Sequence, residues 1–158
     1  MADARFEDGD ERPLNLLARD GDDLAVISAL LQDAVLPGAD LKWDRKARRF
    51  VALVNRFRWE DRAAAEAARR PVERVRSLLV IEDVTVVRSQ GLARGEKADV
   101  LALLALVWRP GADGTGRLTL QLSGGGAVAV EVEALEVALR DVTRPYPAPS
   151  GRAPRHPI

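Results

Sequence analysis

The chain has 158 residues, 47% of them hydrophobic and 30% charged, with 24 acids balanced by 24 bases. That is enough apolar material for one domain core and too much for a disordered chain. The absence of cysteine excludes disulfides and thiolate chemistry, and the single histidine, His156, sits near the C-terminus, away from any position suited to a triad or a zinc site. Residues 1–12 read as a disordered acidic tail without the pattern of a secretory signal. A short strand is expected at Leu14–Ala18. Asp22 or Asp23 then caps a helix in DDLAVISALLQDA, with Leu24, Ile27, Leu31 and Ala34 on one face, Val26 and Leu30 widening it, and Pro37-Gly38 ending it. A hairpin follows, from Asp40–Asp44 to a long strand at Arg49–Trp59. DRAAAEAARRP reads as a surface helical turn or loop. VRSLLVIEDVTVVRSQG is one strand bent at Glu82-Asp83, or two strands meeting there.

DVLALLALVWRPG is apolar in both strand phases, which predicts a central strand covered on both faces. RLTLQLS and AVAVEVE alternate cleanly around Gly124–Gly126, giving a hairpin with Leu118, Leu120, Leu122, Val128, Val130 and Val132 inward. ALEVALRDV places Leu135, Ala138, Leu139 and Val142 on one face of a closing helix. Residues 144–158 read as a disordered Pro/Arg-rich tail. The expected fold is a single α+β domain over residues 13–143. It combines two helices with six to seven strands in a curved, mostly antiparallel sheet or partly closed barrel, of which a pleckstrin-homology-like barrel is one form.

The net charge of zero hides segregation. Residues 1–41 carry 10 acids and 3 bases, whereas residues 42–76 carry 5 acids and 12 bases. The basic stretch either faces an anionic partner or lies against the acidic first quarter of the chain. Within it, LVNRFRWED interleaves arginines with aromatics, a vocabulary shared with single-stranded nucleic-acid platforms. Strand phase puts Val51, Leu53, Asn55, Phe57 and Trp59 on one side and Phe50, Ala52, Val54, Arg56 and Arg58 on the other. Taking the aromatic side as the core predicts outward Arg56 and Arg58, and an Asn55 that needs partners on the apolar side. Glu131, Glu133 and Glu136 read as a wet face rather than a magnesium site. SGGG at Ser123–Gly126 reads as a tight turn rather than a phosphate loop.

The succession DDLAVISALLQDAV, RRFVALVNRFRWE, VTVVRSQG and SGGGAVAVEVE resembles a family of unknown function in alphaproteobacteria, over nearly the whole length from Leu14 to Val142. The resemblance implies a small cytoplasmic protein in a bacterial housekeeping setting, often encoded beside histidinol dehydrogenase. It implies no activity. The positions nearest its motifs are Gln32, Asp33, Asn55, Arg56, Phe57 and Trp59.

The residues thus point to a cytoplasmic, non-enzymatic binding or accessory module without cofactor or metal. Its basic surface would comprise Arg49, Arg56, Arg58 and Arg62 beside Asn55. The expected partner is a protein, and no membrane is implied. RNA binding, a small-molecule pocket using Asn55, Gln32 and Asp33, and a homodimer are the alternatives.

Overall fold

The computed structural model describes residues 12–92 and 100–148. The fold is α+β, as the sequence indicates, but among the described residues it has eleven strands instead of six or seven, in one antiparallel sheet that stays open. In chain order the elements are β1 (Asn15–Ala18), α1 (Gly21–Leu30), β2 (Ala34–Pro37), β3 (Leu41–Asp44), β4 (Arg49–Phe57), α2 (Arg62–Ala67), β5 (Glu73–Ile81), β6 (Val84–Gln90), β7 (Val100–Pro110), β8 (Gly116–Leu122), β9 (Ala127–Val132), β10 (Val137–Asp141) and β11 (Tyr146–Pro147). The strand order is β1-β10-β5-β4-β2-β7-β8-β9-β6, with β3 paired to β4 and β11 to β5. The disordered tails expected at 1–12 and 144–158 lie outside the described residues, except Arg12 and the stretch from Arg144 to Ala148. That stretch carries β11 and a buried Ala148.

Alternation fixes the inner face. Leu118, Leu120 and Leu122 of β8 and Val128, Val130 and Val132 of β9 are all buried, as their period of two demands. Gly124 and Gly125 turn the hairpin with φ of 74° and 81°, a region glycine enters without steric cost. Gly116 leaves room for the Trp108 indole at the start of β8, since an added Cβ would fall 2.7 Å from the indole Cζ2. Between β5 and β6, Asp83 adopts a positive φ of 56°, so Glu82-Asp83 marks a corner between two strands and not a bend within one.

Three expectations need correction. First, α1 is capped by the Asp20 carboxylate, which accepts the Asp23 amide at 2.8 Å; it ends at Leu30, leaving Ala34 buried in β2 and Val26 53% exposed. Second, the closing helix is strand β10. Val137, Leu139 and Asp141 face inward at strand spacing, and pairing with Ile81, Leu79 and Ser77 of β5 overrides the helical pattern. The second helix is instead α2. Third, β7 is central in the order but not covered on both faces: Leu103 and Leu106 point inward around a register shift, while Val100, Leu104 and Val107 remain exposed.

Candidate binding face

The β4 strand decides where recognition can occur. Its buried phase is Phe50, Ala52, Val54 and Arg56, the reverse of the sequence expectation. Arg56 continues the core row and has no exposed surface. A buried guanidinium is tolerable only if its charge is met and its donors are used. Asp141, inward on β10, accepts from Arg56 Nη2 at 3.0 and 3.2 Å and from Nε at 3.3 Å. Glu60 accepts from Nη1 at 2.9 Å and from Nη2 at 2.8 Å, in the forked geometry that suits arginine. Nε also donates to Ser77 Oγ at 3.0 Å, and Ser77 donates to Asp141 at 2.6 Å. The Leu14 amide adds a bond to the same carboxylate at 2.9 Å. Burial alone would lower the Arg56 pKa, but Glu60 and Asp141 outweigh it and hold the group above its ordinary value.

Arg58, just past β4, is buried too. It bonds Asp61 at 3.3 Å and donates to Glu73, while Arg70 closes on the other side of Asp61. Arg49 pairs with Glu82 at 3.0 Å and Arg62 with Glu66 at 3.0 Å. The basic surface expected from Arg49, Arg56, Arg58 and Arg62 is therefore not a free one. Arg48, Arg49, Arg56, Arg58, Arg62 and Arg70 of the stretch are paired within the chain, by Glu60, Asp61, Glu66 and Glu73 nearby and by Glu82, Glu133 and Asp141 further on. The acidic first quarter does not supply them in these pairs. Glu131, Glu133 and Glu136 likewise each meet a different arginine, Arg117, Arg48 and Arg19.

Phe57 and Trp59 do pack, but in a second small core with Val72 and Ala148. Three aromatics of the basic stretch carry a guanidinium over the ring: Arg45 at 4.6 Å from Trp43, Arg74 at 4.0 Å from Phe57 and Arg62 at 5.6 Å from Trp59. Trp59 Nε1 donates to the Gln32 carbonyl at 2.9 Å, which ties the α1 end to this corner.

The opposite face of β4 and β5 runs in rows set by register: Val51 beside Val80, Leu53 beside Leu78, Asn55 beside Arg76, Phe57 beside Arg74. Asn55 Nδ2 donates to the Tyr146 hydroxyl, and its Oδ1 accepts from Arg74 Nη1 at 3.2 Å. Burial pushes the Arg74 guanidinium below its ordinary pKa against the pull of Tyr146, and its Nε has no partner among the described residues. Asn55 is thus held by side chains and not sealed by backbone. It also lines a pocket of about 180 Å³ with Asp40 and Arg76. Gln32 and Asp33 do not join it; Asp33 sits at the turn into β2 with φ of 63°.

Beyond Leu53 the same face opens into a groove of about 660 Å³ with an apolar floor of Val51, Leu78, Val80 and Ala138. Arg140 stands on its rim, along with the Arg49–Glu82 pair. Arg76 and Arg140 are exposed, and neither has a carboxylate partner among the described residues. Sequence reasoning missed both. A usable signal was present: Arg76 shares strand phase with Leu78 and Val80, and Arg140 with Ala138.

Residues 14–156 match the model of a family described as a protein of unknown function, DUF2948. No curated protein and no solved structure matches the chain.

Proposed function

For a chain that belongs to the DUF2948 family, we propose a role as a non-enzymatic binding module whose working surface is the outer face of β1, β10, β5 and β4. The observation that carries this reading is the contrast among its arginines. Arg49, Arg56, Arg58 and Arg62 are spent on carboxylates of the same chain, whereas Arg140 on the groove's rim and Arg76, on the same face beside the neighbouring pocket, have no carboxylate partner among the described residues. Exposed arginine beside aliphatic floor fits a partner that alternates aliphatic side chains with carboxylates. An extended protein segment has that periodicity, and β1 ends the strand order next to the groove, where such a segment can add main-chain bonds. The bacterial cytoplasm is the setting that goes with this reading. The capped rings of Trp43, Phe57 and Trp59 argue against a base-stacking platform for nucleic acid.

Selection of random peptides displayed on phage against the whole chain tests the idea. Enriched peptides are expected to alternate Leu, Ile or Val with Asp or Glu, and to bind less well as salt rises. The Arg76→Glu, Arg140→Glu double variant should bind them about 100-fold more weakly or worse, two reversed contacts at about tenfold each, and keep its melting temperature. No enrichment, or equal binding by the double variant, would refute the proposal.

A further inference from the structure

The geometry points to a second site beyond the peptide groove: the pocket of about 180 Å³ between β2, β4 and β5 takes a small zwitterion, with an ammonium, a carboxylate and a short aliphatic group. Arg76 and Asp40 line this one pocket with opposite charges, yet they form no ion pair with each other or with any other described residue. Opposite charges that share a concavity without closing on each other leave room for a molecule carrying the complementary pair. Arg76 offers a forked donor set for a carboxylate. Asp40 offers acceptors for an ammonium. Val35, Leu53 and Val100 supply an apolar wall between them. Asn55 has spent one amide hydrogen on Tyr146 and one lone pair on Arg74, so a second donor and a second acceptor remain available to a ligand. The volume lies below the roughly 300 Å³ at which pockets for drug-sized ligands begin. An aliphatic α-amino acid of the size of valine matches the charges, the wall and the space.

The test titrates the whole chain with L-valine, N-acetyl-L-valine and L-valinamide, followed by calorimetry and by the amide NMR signals of Asn55, Arg76 and Val100. L-Valine should bind, with the other two weaker by about tenfold or more, the loss of one charge-assisted contact. Arg76→Ala should erase the preference for valine over valinamide, and Asp40→Asn the preference over the acetylated form. Arg140→Glu alters only the groove and should leave valine binding intact, so failure here is distinct from failure of the peptide reading. Absence of any shift at tens of millimolar valine would overturn the inference. So would equal responses to all three compounds, or unchanged preferences in the two pocket variants.

Discussion

Arg56→Met is expected to destabilise the fold by about 3–5 kcal/mol, the usual cost of breaking a buried ion pair from one side. Methionine keeps much of the side-chain length and can fill the slot, so cavity formation is a minor part of the loss. The larger part falls on Asp141, whose side chain is only 4% exposed and would keep just Ser77 and the Leu14 amide as partners. Glu60 matters less, because at 30% exposure water can replace the lost guanidinium. Urea unfolding gives the number directly. Arg56→Met combined with Asp141→Leu should recover a large share of the loss, since removing both charges leaves no orphan. A single-variant loss under about 1 kcal/mol would mean that water reaches the network.

Leu79→Ala should cost about 2–5 kcal/mol. Leu79 has no exposed surface and sits at the centre of the inner face, between Ala52 of β4 and Leu139 of β10. One neighbour is already an alanine and the backbone is held by strands on both sides, so the site has little freedom to collapse. The matched change Leu104→Ala, on the exposed side of β7, should stay within about 0.5 kcal/mol because that side chain is 46% exposed. The ratio of the two effects in denaturant unfolding reports which face of the sheet is the core. Similar costs at both positions would show that the outer side of β7 is also packed.

Local patterns carried much of the fold. Strict alternation in RLTLQLS and AVAVEVE, with glycines between, specified the β8–β9 hairpin; Leu24 and Ile27 specified the buried side of α1, with Leu31 buried just past its end. The failures lie where two local readings were equally good and a distant residue decided. Both phases of β4 are apolar at the start, Phe50, Ala52 and Val54 against Val51 and Leu53, and the aromatics at the end tipped the choice the wrong way. What buries Arg56 is Asp141, 85 residues away. Asp141 in turn reaches the interior only because ALEVALRDV pairs with β5 as a strand rather than coiling as a helix. The same dependence hid the proposed binding face. Arg76 and Arg140, without a carboxylate partner among the described residues, come together on one face only once β5 and β10 are neighbours.

The division between arginines built into the frame and arginines on the surface can be put to one measurement, thermal unfolding of two double charge reversals side by side. Arg56→Glu, Arg58→Glu should abolish the cooperative transition, because each new carboxylate would face Asp141 or Asp61 in a buried site. Arg76→Glu, Arg140→Glu should melt within a few degrees of the parent chain. A folded first variant, or an unfolded second one, would contradict the assignment of frame and surface.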